Sequence, residues 1–362
     1  MNPIPSANVN RKSIADQVVV VMGASSGIGR TTVKQLAEQG ASVVAAARSE
    51  QDLASLAEEC RTAPGAVQHV MADVTDESSV HAVAAAAVER FGRIDTWVGV
   101  AGVGLYGRAW ETSAEEYGAV MRTNWLGQVH GALAALPELR RSGGTLICIG
   151  SVESVRAVPL HAAYVSSKMA LRGFCDSLRM DLDAEDAGVA VSLVLPAAID
   201  TPFFAHARSH LTGRPKPPPP VYTPESVAAV VLRMAQNPRR EVVVGGSGIG
   251  FLAGQRLAPR LTDRLMTAGG SMLRDQQQPG QAEPSDSLET PVPGSGTEDG
   301  GHGGRRSVTA VLASARPVAR RAAGLGAAAA GVAAGRLMAH RQADEPPARD
   351  AVTVPDTDER GV

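Results

Sequence analysis

The stretch VVVVMGASSGIGR, residues 18–30, decides how the chain is read. Its first five residues are all apolar, too few for a membrane span and too uniform for a half-exposed strand. They read as a strand buried on both faces, as in a parallel sheet. Gly23, Gly27 and Gly29 follow at once, and a helical pattern begins there. Gly23 lets the chain turn sharply. Gly27 and Gly29 let backbone approach a pyrophosphate at the positive end of a helix. The spacing is G-x-x-x-G-x-G rather than the commoner G-x-G-x-x-G. A tight structural turn is the plain alternative, and the position directly after the first strand argues against it.

Outward from this loop, short β-branched runs alternate with amphipathic stretches. The runs are 17–22, 42–47, 66–71, 94–101, 144–150, 189–195 and 241–245. Between them lie helical segments such as TTVKQLAEQG and DESSVHAVAAAAVERFG, each closing on a glycine after its last turn. This order predicts an α/β fold, a doubly wound parallel sheet of the Rossmann type, with about seven strands and helices on both faces. Ligand then belongs at the carboxyl ends of the strands.

The chain has 362 residues, 44% of them hydrophobic, and a net charge of -2. That is enough for a real core and gives no reason to expect a nucleic-acid partner. Cys60, Cys148 and Cys175 are scattered, which suits a reducing compartment. The polar N-terminus has no signal-peptide core, so the expected location is cytoplasmic. The Rossmann-type domain is expected over 14–250. An amphipathic helical extension follows over 251–274, where Leu257, Leu261 and Leu265 recur every four residues among arginines. Pro259 either kinks that helix or begins a second one. Residues 275–304, rich in Gln, Pro, Gly and Ser, predict a disordered linker. Residues 305–362 form a basic Ala/Gly/Arg-rich tail, whose partner is either an anionic membrane surface or another protein. Within the domain, the proline-rich stretch 213–224 reads as a stiff loop.

A second motif carries chemistry. YVSSK, residues 164–168, places Tyr164 and Lys168 at i and i+4, on one face of a helix. Ser151 ends a strand-like run thirteen residues before Tyr164. A free tyrosine has a pKa of about 10, and a nearby ammonium lowers it. Tyr164 could then pass a proton to a carbonyl oxygen or take one from an alcohol. Taken singly, Tyr164 packs, Lys168 is solvated and Ser151 caps a helix.

Together, and in this order, these motifs resemble the short-chain dehydrogenase/reductase family in its compact form, over roughly residues 14–245. The resemblance implies a nicotinamide cofactor seated on Gly23, Ser25, Ser26, Gly27, Ile28 and Gly29. It implies Asp73 and Val74 at the adenine, Ala101 and Gly102 beneath the cofactor, and Pro196, Ile199 and Thr201 by the nicotinamide. Tyr164 is then general acid/base, Lys168 also holds the ribose, and Ser151 fixes the substrate oxygen. Asn124 completes the catalytic set by holding a water that links Lys168 to solvent. The family also commonly forms dimers or tetramers, so a homodimer or homotetramer is expected.

The chain departs from the family at three places. Met22 replaces a threonine, Gly99 and Val100 replace two asparagines, and Ala197 replaces a glycine. At the end of the second strand, where an NAD site carries an acid, it reads Ala47-Arg48. A guanidinium there pairs with a 2′-phosphate, so NADP(H) is preferred over NAD(H), with Arg30 adding to the positive field. The substrate side is expected from Tyr106, Trp110, Phe203 and Phe204. His206 and His210 share a helical spacing but lack a third ligand, so no metal is expected. The sequence thus predicts an NADP(H)-dependent oxidoreductase acting on a small carbonyl or alcohol. Its rival is a non-catalytic nucleotide sensor or scaffold on the same fold.

Overall fold

The computed structural model describes residues 12–268, 276–280, 286–292, 294 and 296–307. Seven strands form one parallel sheet: β1 (Val18–Met22), β2 (Ser42–Ala47), β3 (Val67–Met71), β4 (Thr96–Gly99), β5 (Thr145–Ile149), β6 (Ala190–Pro196) and β7 (Glu241–Val244). Their order is β7-β6-β5-β4-β1-β2-β3. The order reverses between β1 and β4, and the ligand crevice of such a sheet opens there.

Apolar runs become buried strands because helices cover both faces. Val19, Val21, Val43 and Ala45 pack against residues of α1 (Gly27–Glu38), α2 (Glu50–Glu59) and α7 (Pro224–Gln236). Val20, Met22, Val44 and Ala46 face α3 (Glu77–Phe91), α5 (Gly127–Ser142) and α6 (Ala162–Ala184). α4 (Ala114–Met121) opens on a capping box between Ser113 and Glu116 and runs through a π turn, Arg122–Leu126, into α5. α3 closes on Gly92 in the left-handed conformation, at φ 81°, as its terminal glycine predicts.

Beyond β7 lie α8 (Gly246–Leu257) and α9 (Pro259–Thr267), so Pro259 begins a second helix at its first position. The guanidinium of Arg156, in the loop after β5, donates to Gln255 and Asp263 and so ties this pair to the domain. Leu257, Leu261 and Leu265 remain exposed. The proline-rich stretch forms loop apart from Arg214–Pro215, which pairs with Gln277–Gln278.

The linker expected to be disordered over 275–304 is, over its described residues, laid along the domain with partners for its backbone. Gly300, His302 and Gly304 donate to the Asp200 carboxylate at 2.9–3.2 Å. Leu288 is buried beside Val103, Leu105 and Val120. Most of the basic tail, residues 308–362, lies outside the described residues.

β4 shows how the chain compensates for its missing asparagine. A Cβ at Gly99 would lie 1.9 Å from Gln128 Oε1. Gln128, from α5, therefore fills that space, and its Nε2 donates to the Ala101 carbonyl at 3.2 Å. Gly99→Asn should thus overpack the sheet end and lower stability by about 1–3 kcal/mol. Gly99→Asn with Gln128→Ala should recover most of that loss in thermal denaturation. Additive losses would show that the two residues do not share the space.

Candidate active site

The glycine loop is held mainly by backbone, with Arg30 donating to Ser25 O at 3.3 Å and the Thr31 hydroxyl to Gly27 O at 2.9 Å. The amides of Gly23 and Ala24 donate to Ala46 O, and those of Val100 and Ala101 donate to Met22 O, at 2.7–3.0 Å. The hydroxyl lost at Met22 is therefore not needed to tie the loop down, and the Met22 side chain packs in the core. A Cβ on Gly23 would lie 2.5 Å from Ala101 N, and one on Gly29 would lie 2.0 Å from Gly23 O. No side chain fits at either position. The amides of Ile28 and Gly29, in the first turn of α1, meet no acceptor among the described residues.

Two cavities open at the carboxyl ends of the strands. The first, about 220 Å³, is lined by Ser151, Tyr164 and Lys168, with Pro196, Ile199 and Thr201 on one wall. The second, about 200 Å³, is lined by Gly23, Ser25, Ser26, Gly27, Arg48, Val74 and Ala101. Ile28, Val100, Gly102, Thr201 and Phe203 line both, so the two cavities adjoin and together make up a channel region between the β2 end and Tyr164.

Three expected residues stand elsewhere. Asp73 does not line the channel. Its carboxylate accepts from the Thr75 amide and hydroxyl at 2.8 Å, a local turn before α3. Gly29 acts through close packing behind the loop. Arg30 does not add to a field at the channel either. It is buried and donates to Asp52 O, Ser55 Oγ and Glu59, clasping α2 against α1. Arg48 lines the channel and donates to Ser287 O at 2.7 Å and Glu289 O at 3.0 Å.

Tyr164 and Lys168 share one face of α6. The Lys168 ammonium lies 5.6 Å from the Tyr164 ring centroid and donates to Ile149 O at 2.9 Å. Burial pulls the Lys168 pKa down to about 8. Burial and then the Glu153 carboxylate push Tyr164 well above its usual value, against a hydrogen bond to Ser151 that lowers it. In this structure burial and the Glu153 carboxylate outweigh the Ser151 hydrogen bond, so the phenol moves opposite to the direction expected from the ammonium. Ser151 also caps a short 3₁₀ turn, accepting from the Glu153 amide at 3.1 Å.

Asn124 sits inside the π turn, a form often found at functional sites. It accepts from Val103 N at 2.7 Å and donates to Val103 O and Ser167 Oγ. This pins the segment after β4 to α6. Sequence reasoning missed Glu153 and His161, which pair at 3.0 Å in the pocket wall. His161 Nε2 and the Tyr106 hydroxyl are buried with no hydrogen-bond partner. Trp110, expected in the wall, is exposed instead. His206 lines the channel, while His210 pairs with Glu116. No cluster of potential metal ligands occurs among the described residues.

The family model described as short chain dehydrogenase matches residues 17–212, more than half of the chain. The chain belongs to the short-chain dehydrogenase/reductase family. It is similar to an uncharacterized oxidoreductase of Bacillus subtilis (strain 168), YxnA, at 40% identity over 73% of this chain and 75% of that protein. Dehydrogenase/reductase SDR family member 7B of Danio rerio is 29% identical, over 66% of this chain and 80% of its own. Among solved structures, an alcohol dehydrogenase from Thermococcus sibiricus complexed with 5-hydroxy-NADP matches with a TM-score of 0.56 and 29% identity. The match covers 63% of this chain and 95% of that one. A short-chain dehydrogenase from Streptomyces avermitilis matches with a TM-score of 0.58 and 25% identity, over 69% and 96%. The protein is therefore an oxidoreductase of this family.

A nicotinamide dinucleotide fits the residues present. Two adjoining cavities lie at the loop, the loop has no room for side chains, and two helix amides meet no acceptor among the described residues. A buried lysine with a lowered pKa also has a signature in stability. Between about pH 8 and its ordinary 10.5, the folded chain binds fewer protons at Lys168 than the unfolded chain. Stability should therefore rise with pH in that window, relieving a penalty on the order of 3 kcal/mol. The stability difference between Lys168→Met and wild type should change from pH 7 to pH 10 in that sense. A difference independent of pH would contradict the buried ammonium.

Proposed function

We propose that this oxidoreductase interconverts a carbonyl and an alcohol using NADP(H), with Tyr164 as general acid/base. The observation that carries the reading is Tyr164, Lys168 and Ser151 lining one cavity at the end of the dinucleotide channel. A bound nicotinamide supplies the hydride. The chain's own residues do the rest. Ser151 orients the substrate oxygen, and the Tyr164 hydroxyl gives it a proton. Lys168, charged below about pH 8, favours the phenolate left behind.

Arg48 supports NADP(H) over NAD(H), because its guanidinium ends at the channel where an NAD site carries an acid. The substrate is a carbonyl compound with an apolar body, because Val152, Val158, Phe203, Phe204 and Pro218 line the first cavity. His161 Nε2 and the Tyr106 hydroxyl offer it polar contacts. The exposed Leu257, Leu261 and Leu265 stripe suits either a second copy of the chain or a membrane surface. No helix among the described residues is long and apolar enough to cross a membrane.

Tyr164→Phe should abolish carbonyl-dependent NADPH oxidation and leave NADPH binding intact; retained turnover would discard the mechanism. Arg48→Ala should weaken NADPH by about tenfold or more and NADH far less, as a lost charge-assisted pair would. An equal effect on both would remove the cofactor preference. The reduction rate should fall as pH rises through about 8, where Lys168 loses its charge. A rate that keeps rising to pH 10 would contradict a role for the ammonium.

A further inference from the structure

We propose that the described residues 286–292, 294 and 296–305 belong to a strap that closes over the dinucleotide channel, so that the cofactor lies beneath it beside the glycine loop and leaves only when the strap lifts. This rests on the dinucleotide reading above and extends it to a segment outside the family match, which ends at residue 212.

At both ends, the described residues of the strap are tied to the channel and to the segments beside it. Asp286 pairs with Arg208 at 2.9 Å. The carbonyls of Ser287 and Glu289 accept from Arg48. Gly296 donates to Asp52, and the Thr297 carbonyl accepts from the Gly27 amide at 2.8 Å. Glu298 pairs with Lys34. Three amides then converge on Asp200, and Arg305 exchanges backbone hydrogen bonds with Val221 and Thr223.

Space remains beneath it. Ser287, Pro291 and Val292 line the second cavity together with Gly23, Ser26 and Val74. Among the described residues the strap takes one loop amide, that of Gly27, and those of Ile28 and Gly29 meet no acceptor. Toward Arg48 the strap presents neutral carbonyls, and its Glu298 carboxylate turns to Lys34 instead. A segment competing for the cofactor's place would fill the cavity and set an anion on those donors. This one covers the cavity and leaves the donors partly free.

Close approach is what its glycines provide. A Cβ at Gly300 would lie 2.5 Å from Thr201 O, and one at Gly304 would lie 2.9 Å from Asp200 Cβ and the Tyr222 backbone. Gly300→Ala with Gly304→Ala should therefore lift the strap and leave the sheet untouched. In the full chain, NADPH fluorescence chased with excess NADP⁺ reads the release rate. The double variant should release NADPH about tenfold faster than wild type, the loss expected from a few hydrogen bonds. NADPH should also protect wild type, but not the variant, from trypsin at Arg305 and Arg306. Glu298→Lys, which sets two ammoniums together, should accelerate release in the same sense. Unchanged release with normal NADPH binding would overturn the strap alone. Tighter binding in the variants would make it a competitor and overturn it too. No binding of NADPH or NADH to wild type would overturn both readings.

Discussion

The structure depends on backbone meeting backbone at the switch between β1 and β4. Gly23 lies so close to Ala101, and Gly29 so close to Gly23, that any side chain would collide. The amides of Val100 and Ala101 converge on one carbonyl, that of Met22. This contact brings the start of α1 and the end of β4 onto one crevice. It also ties the loop down without a hydroxyl at position 22, so Met22 is tolerated where one is usual. The channel, the open amides of α1 and the placement of Gly102 near Lys168 all follow from it.

Around that frame, desolvation sets the proton chemistry. Lys168 is buried with a single carbonyl partner, and its pKa falls to about 8. Tyr164 moves the opposite way, because burial and Glu153 both disfavour a phenolate. The pair therefore holds a loaded acid beside a cation whose charge is conditional on pH. The missing asparagine at Gly99 does not open the floor, because Gln128 reaches in from α5 and bonds the same segment.

The sheet was legible because its central strands are nearly unbroken apolar runs, as at 18–22 and 145–149. Tyr164, Lys168 and Ser151 were legible through spacing, since i and i+4 share a helix face. Residues that act across long sequence distances were not. Gln128 compensates Gly99 only through tertiary contact, and Arg30 clasps α2 although it adjoins the loop. Asp73 looked like a ligand and serves a local turn. Composition misled most at 286–305: glycines that signal flexibility in isolation are the points where the segment touches Thr201, Tyr222 and Asp52. The acidic group that organises it, Asp200, lies about a hundred residues upstream.

The central claim is that the channel and the Tyr164 pocket serve one hydride transfer. The most direct test follows the hydrogen itself. NADPH carrying deuterium at the reactive ring carbon is incubated with the protein and a set of apolar ketones and aldehydes, and the products are analysed by mass spectrometry and NMR. The account predicts deuterium bonded to the carbinol carbon of the product, delivered to one face. Absence of that label in every product, with NADPH bound, would contradict it.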